Sequence, residues 1–446
     1  MTGTESRDLS GVLAGRWCIG CGACTAADPS LRLTLSADNR CFEPDGVGNA
    51  AARAVCPAVK VDYEGLHAWR FPGRDVSAHG VVDKVMLAQS VDRERNQRAS
   101  SGGLIKELLI GLLARADIDG AIVLAAQGGL DFAPVLVRDA QAIDALPGSI
   151  YHSVPYAEAL RLLQDNEGRF VVVGIPCQLE GLYSYIRQQA PQLAQRVAFT
   201  VGIICGWLYT HRALDAMREF KGVSSAIKSI AYRGDGPVGP LAIDCEDGSR
   251  LRINRRTDLD YLVAFDRSFN INRCHVCVNH VNWLADIAVG DAWLARTATT
   301  TSGVSIVISR SAQGSALLNA LVADGRLRVA PASVEDIIES QSRGLVFGDA
   351  AYSYRALLRD EGRFVPDLEG PNRNAAHLAP RAAMAQFDRD LARKARLQAA
   401  GAYRQLWYGK LLRDCWSYAL RFVGKRIKRA LRRGDRATGG LPDGFL

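Results

Sequence analysis

The 446-residue sequence has no uninterrupted apolar run near the roughly 18 residues that a helix needs to span a bilayer. Its longest candidates, 171–175 and 199–208, have the length of buried strands, so a membrane-spanning protein is not expected. Met1 is followed by a polar run to Asp8 rather than an apolar signal core. The eleven cysteines are odd in number and lack disulfide-framework spacing. A cytoplasmic setting follows as the expectation.

A disordered composition is also absent: hydrophobic residues are 48% and charged residues 23%, enough for two or three domains with a substantial core. The net charge of +8 is unevenly placed. Residues 381–446 hold sixteen Lys/Arg against five Asp/Glu, which leaves the rest of the chain at −3.

What is present begins with Cys18-Ile-Gly-Cys21-Gly-Ala-Cys24. Three sulfurs two residues apart on one tight loop grip a cubane iron–sulfur cluster, and a distant Cys-Pro supplies the fourth ligand. Cys56-Pro57 is that pair, with Cys41 inside the loop as the other candidate. A zinc knuckle is the plain alternative, although such sites usually come as CxxC pairs. Residues 1–65 are otherwise poor in core and rich in turn formers such as Pro29, Pro44, Gly46 and Gly48, so this segment needs a metal to hold it.

From about residue 85 short β-rich runs alternate with helical stretches, which predicts an α/β domain on a mostly parallel or mixed sheet. Strands are expected at 85–90, 121–125, 134–138, 197–204, 285–293, 305–309 and 327–330, with an antiparallel insertion over 227–254. Another strand begins at Arg169 and ends in a tight turn at Cys177.

Ser100-Ser101-Gly102-Gly103 opens the helix expected at 104–114. Small residues there let a phosphate approach, and the first-turn N–H groups and helix dipole attract its charge. The same turn is also an ordinary N-cap. The loop 147–155 carries Ser149, Tyr151 and His152. His152 is a proton-donor candidate by its pKa range, against the commoner structural role of a loop histidine.

Cys177 and Cys205 stand where strands deliver residues to the carboxyl edge of the sheet, the ligand-binding edge of open α/β folds. Cys274-His-Val-Cys277 is a chelating pair that cannot close a tetrahedral site alone. Together the four are expected to hold a second cluster, with zinc, a redox disulfide, partial ligation and simple space filling as alternatives. Cys245 and Cys415 are bystanders in this reading. After about residue 372 the chain turns helical and Arg-rich, notably over 410–433. That face suits an anionic membrane surface, an acidic redox partner or nucleic acid, and equally a helix packed on the body. Nothing elsewhere supports nucleic-acid binding.

In order, Cys18-x-x-Cys21-x-x-Cys24, Ala99-Ser-Ser-Gly-Gly-Leu104, Gly148-Ser-Ile-Tyr151, Gly174-Ile-Pro-Cys-Gln178, Ile204-Cys-Gly206, Cys274-x-x-Cys277 and Ala285-Asp-Ile-Ala-Val-Gly-Asp-Ala-Trp293 resemble the beta-subunit family of coenzyme F420 hydrogenases and dehydrogenases. The likeness runs from about residue 16 to 340. That family also looks like the home of ferredoxin-dependent chlorophyll-pathway reductases and of bacterial members associated with polysaccharide synthesis.

The resemblance implies a ferredoxin-like 4Fe–4S domain over 1–65, an FAD-binding α/β domain over 80–340 with a second 4Fe–4S site, and a helical basic extension over 372–446. It implies that Ser100, Ser101, Gly102 and Gly103 contact the flavin phosphates, with Tyr151 and Ser149 near the flavin. It further implies electron exchange with a ferredoxin-like partner and a small-molecule redox substrate, as a homo-oligomer or in a larger complex. The basic tail is the candidate for peripheral contact with the inner membrane surface. Ile150 stands where the pattern has Lys, which argues against use of the highly anionic deazaflavin coenzyme. An electron-transfer subunit with no substrate of its own, and a zinc-binding interaction module, are the other readings.

Overall fold

The computed structural model describes residues 8–234, 236, 239–370 and 377–413. The chain opens with helices α1 (Ser10–Ala14) and α2 (Ala23–Ala27), a hairpin of β1 (Leu33–Leu35) and β2 (Phe42–Pro44), then α3 (Ala50–Ala54) and α4 (Tyr63–Arg70). The body continues as β3 (Lys84–Ser90), α5 (Arg93–Arg98), α6 (Leu104–Ala114), β4 (Gly120–Gly128), β5 (Asp131–Val137), α7 (Ala140–Ala145) and α8 (Ala157–Asp165). Next come β6 (Phe170–Gly174), α9 (Pro176–Gln189), β7 (Val197–Ile203) and α10 (Arg212–Lys221). Strands β8 (Ile227–Ala231), β9 (Leu241–Cys245) and β10 (Arg250–Ile253) form the small antiparallel sheet expected from the sequence. Helices α11 (Leu259–Ala264) and α12 (Asn272–His275) lead to β11 (Ile287–Asp291), β12 (Ser305–Ser309), α13 (Ala312–Ala323) and β13 (Leu327–Pro331). The long α14 (Val334–Asp360) and α15 (Arg381–Ala399) follow.

Eight strands make one sheet in the order β13-β3-β12-β11-β7-β6-β4-β5. The central strands β4, β6, β7 and β11 are parallel. Both flanks are antiparallel: β5 on β4 at one side, and β12, β3 and β13 at the other. The sheet is therefore mixed rather than mostly parallel. Between β11 and β12 there is only a 3-10 turn and no crossover helix, so the chain doubles back.

Every residue of β6 is buried. Alternate side chains serve opposite faces, as strand geometry requires: Val171 and Val173 pack with Leu108, Leu109 and Leu318 of α6 and α13, while Phe170 and Val172 pack with Leu160 and Leu179 of α8 and α9. The second core also takes in Leu9, Val55 and Leu66, so the cysteine-rich segment shares its interior with the sheet. Helix α15 docks on the body, with Lys394 Nζ 2.8 Å from Asp266 Oδ1 and the Tyr354 hydroxyl donating to Asp388 at 2.5 Å. Most of the Arg-rich run, and Cys415, lie outside the described residues. Among the described residues no helix is long and apolar enough to cross a membrane.

Candidate functional site

Cys18 and Cys21 lie on the loop between α1 and α2, Cys24 in α2, and Cys56 just after α3. All four are buried. The negative charge of a Cys56 thiolate is felt at Cys18, Cys21 and Cys24 alike, so the four sulfurs converge. Cys41 is also buried, its thiol pushed up to about 12 by burial with Glu43, Arg16 and Arg212 acting on it, but of Cys18, Cys21 and Cys24 it bears on Cys18 alone. The loop is clamped between two helices. At Gly22, whose φ is +78°, a Cβ would stand 2.2 Å from the Ala157 Cα at the start of α8. The Gly20 N–H donates to Cys18 Sγ at 3.4 Å.

Cys177 is inside the first turn of α9, not in a turn ahead of it, because Pro176 already takes a helical position. Cys205 follows β7, Cys274 belongs to α12 and Cys277 comes just after it. These four cysteines line one small cavity together with Ile19, Arg273 and Asn279. Ile19 lies between Cys18 and Cys21, so the two cysteine groups adjoin. The Leu208 N–H donates to Cys274 Sγ at 3.3 Å.

Among the described residues no three His, Cys, Asp or Glu side chains are grouped to hold a single metal ion. The donor chemistry fits a cubane, which spreads four thiolates more widely than one ion does. The void in the second group is about 20 Å³, near the size of one water, so a cubane enters there only as the sulfurs part.

A cavity of about 730 Å³ opens at the carboxyl ends of the parallel strands, lined by Leu124, Gly174, Ile203 and Asp291 from β4, β6, β7 and β11. This is the ligand-binding edge of such sheets and a volume that suits an organic cofactor. Ser100, Ser101, Gly103, Ser149, Tyr151 and His152 also line it. The Ser149 N–H donates to Ser100 Oγ at 2.7 Å, joining the two loops.

Gly102 does not line the cavity. Its N–H donates to Ser305 Oγ at 3.0 Å, and a Cβ would meet the Ala88 carbonyl at 2.6 Å, so it seats the turn on the sheet. The wall from Cys205 to Leu208 borders both this cavity and the second cysteine group.

Arg255, Arg343 and Trp207 are among the lining residues that escape the sequence reading. Arg255 lies over the Tyr151 ring at 5.4 Å, and Arg343 of α14 lies over Trp207 at 5.1 Å. Composition alone does not single out any of them among 55 Lys/Arg and seven Trp.

His152 lines the cavity but is also held in place. Its Nδ1 is 2.6 Å from the Tyr232 hydroxyl and its Nε2 is 2.8 Å from the Leu130 carbonyl oxygen. The carbonyl only accepts, so Nε2 carries the proton and Nδ1 accepts from Tyr232. Burial, aided by His211 with ring centroids 4.8 Å apart, pushes the pKa down to about 3. These bonds give the neutral imidazole a structural part, and a part as proton donor would need one of them to open. Its unfolded pKa is about 6.5, so its contribution to stability is complete above that pH and is lost as the pH falls toward 3. His67, pushed by burial down to about 4, acts in the same direction.

Acid unfolding is therefore expected to begin below pH 6.5, at up to about 1.4 kcal/mol per pH unit for each histidine. His152→Gln should flatten the fall in melting temperature between pH 7 and pH 5. Loss of a general acid would instead cost about 10²–10⁴ in rate with the pH slope of stability unchanged.

Family models for the coenzyme F420 hydrogenase/dehydrogenase beta subunit match in two parts, the N-terminal model over residues 85–161 and the C-terminal model over 167–335. One of the subunits that make up the F(420)H(2) dehydrogenase of Methanosarcina mazei is 23% identical over 300 residues, 62% of this chain and 77% of that protein. The coenzyme F420 hydrogenase beta subunit from Methanosarcina barkeri is 26% identical over 255 residues, 55% of this chain and 80% of that protein. A chain in the structure of the F420-reducing NiFe hydrogenase complex from Methanosarcina barkeri shares the fold, with a TM-score of 0.51 and 20% identity over 67% of this chain and 99% of that one. With more than half of its length matched by the paired models, this chain belongs to the coenzyme F420 hydrogenase/dehydrogenase beta-subunit family.

Proposed function

We propose that the protein is an FAD- and iron–sulfur-dependent oxidoreductase that relays electrons between a ferredoxin-like partner and a hydride donor or acceptor. The observation that carries this reading is the shared wall at Cys205–Leu208, which puts a four-cysteine group directly beside the large cavity at the sheet edge. Bound there, a flavin supplies the exchange between single electrons and hydride. Ser100, Ser101, Gly103 and Ser149 would hold it at the α6 end, with Tyr151 beside it. The two cysteine groups would hold the 4Fe–4S clusters, Cys18, Cys21, Cys24 and Cys56 in the first and Cys177, Cys205, Cys274 and Cys277 in the second.

The curated relatives are themselves named as subunits, which favours a second reading: an electron-transfer subunit of a larger hydrogenase or dehydrogenase with no substrate of its own. Anaerobic purification with metal analysis and a visible spectrum tests the common part. About eight irons and one FAD per chain are expected, the content of two four-iron clusters. Zinc without iron or flavin would overturn it. Turnover on a free hydride acceptor separates the two readings, because only the first predicts it.

A further inference from the structure

Between the two cysteine groups lies a buried ion pair that neither group requires for its ligands. Arg273 Nη2 donates to Glu180 Oε2 at 3.0 Å, with the side chains 2% and 0% exposed. Glu180 is held from two further directions, by the Tyr63 hydroxyl at 2.7 Å and Asn279 Nδ2 at 2.9 Å, both on Oε1. Arg273 is not so complete. Its Nε and Nη1 are buried without a hydrogen-bond partner, although it lines the cavity of Cys177, Cys205, Cys274 and Cys277.

A guanidinium offers five N–H donors, and buried donors are normally paired. The open donors therefore call for an anionic partner at that cavity. A four-thiolate cubane is a dianion that gains a further negative charge on reduction, and hydrogen bonds and charges around its sulfurs set its potential. The pair also touches both groups electrostatically: Glu180 acts on Cys21, Cys177, Cys205 and Cys277, and Arg273 on Cys56, Cys177, Cys274 and Cys277.

Building on the two-cluster reading above, we propose that Arg273 is the charge-compensating residue of the second cluster, and that Glu180 is the positioning residue that aims it there while biasing both clusters. Arg273 favours the reduced, more negative state of the second cluster. Glu180 disfavours reduction of both. One buried ion pair thereby sets the potential difference down which an electron passes between the two sites.

The test uses the full chain with its clusters, reduced by dithionite in one-electron steps and followed by EPR, with iron content measured alongside. Arg273→Gln should shift the reduced-to-oxidised ratio of the second cluster at a fixed applied potential at least tenfold toward oxidised, about 59 mV for one electron. The first cluster should move less. Glu180→Gln should shift both clusters toward reduced.

Should either single variant fail to accumulate, the double variant removes both charges and leaves neither buried alone. In it the two opposing effects offset each other, so the potential of the second cluster should lie between those of the two single variants. Full iron with both potentials unchanged in these variants would overturn the assignment while leaving the two-cluster reading intact. A wild-type chain without iron at the second group would overturn both.

Discussion

Cys56→Ala is expected to remove about four of the eight irons and to lower the melting temperature sharply, while Cys274→Ala removes the other four with a smaller loss of stability. Both variants leave three thiolates where a cubane needs four ligands, so the loss of iron is common to them. The frames differ. Around Cys56 the helices α1, α2 and α3 have five residues each, too few to persist by their own hydrogen bonds, and the only sheet between them is the hairpin of three-residue strands β1 and β2. In the proposed two-cluster reading the cluster would cross-link them, and its loss is expected to cost about 3 kcal/mol or more, roughly 6 °C or more in melting temperature.

Cys274, by contrast, is held on a frame that needs no metal. The Cys205 N–H donates to the His280 carbonyl at 2.9 Å and the Ile204 N–H to the Val289 carbonyl at 2.8 Å, tying the ends of β7 to the cysteine loop and to β11. Cys41→Ala supplies the control and should keep all eight irons. A Cys41→Ala protein that loses four irons while Cys56→Ala keeps them would exchange the two ligand roles. Iron content by metal analysis and thermal unfolding followed by circular dichroism read out all three.

The first cysteine group was legible because its spacing is local: Cys18, Cys21 and Cys24 fall on one loop whatever the rest of the chain does. Convergence of Cys177, Cys205, Cys274 and Cys277 is a long-range fact; the meeting of Cys177 and Cys205 could be anticipated from strand order, since residues at successive parallel strand ends meet at one edge, and the Cys274–Cys277 pair from its need for two more ligands. The antiparallel flank was harder to read. Its direction depends on the missing crossover helix between β11 and β12, a signal present in the sequence but weaker than the apolar runs that mark the strands.

Helix α14 shows a different limit. Its buried residues Ile337, Ser340, Gly348, Ala351, Tyr354 and Leu358 do share one face, but that face also holds polar Arg355 while Ile338 and Val346 are exposed, and so the apolar period that would reveal the helix is missing. Arg343 was invisible for the same reason. The partners that hold His152 come from Leu130 and Tyr232, at sequence distances no local pattern encodes.

Arg310→Met is expected to destabilise the fold by about 3–5 kcal/mol and to loosen the second cysteine group with it. Arg310 is fully buried and faces no carboxylate; its partners are four backbone carbonyls. Nε donates to Asn282 at 3.0 Å, Nη1 to His79 at 2.7 Å and Val81 at 2.6 Å, and Nη2 to Val281 at 2.6 Å. Burial pushes its pKa down only to about 9, so the carbonyls meet a cation at neutral pH.

Two effects oppose each other on substitution. Removing a buried charge recovers its desolvation cost, which is why exchange of a whole ion pair for apolar residues is often neutral. Here only one side can be exchanged. The carbonyls belong to the backbone and stay behind: that of Asn282 keeps the Ala285 N–H at 3.4 Å, while those of His79, Val81 and Val281 are left unsatisfied at about 1–3 kcal/mol each, and three such losses outweigh the recovered desolvation. The turn they fix includes Asn282, at φ +57°, whose Nδ2 donates to the Gly174 carbonyl at 3.0 Å. It follows directly on the segment from Cys277 to His280 that pairs with Cys205. Urea unfolding should therefore show a lower midpoint with an unchanged slope. Iron from the second group should be released to a chelator earlier than in the wild type. A midpoint at or above the wild-type value would mean that desolvation of the guanidinium, and not its carbonyl bonds, dominates at this site.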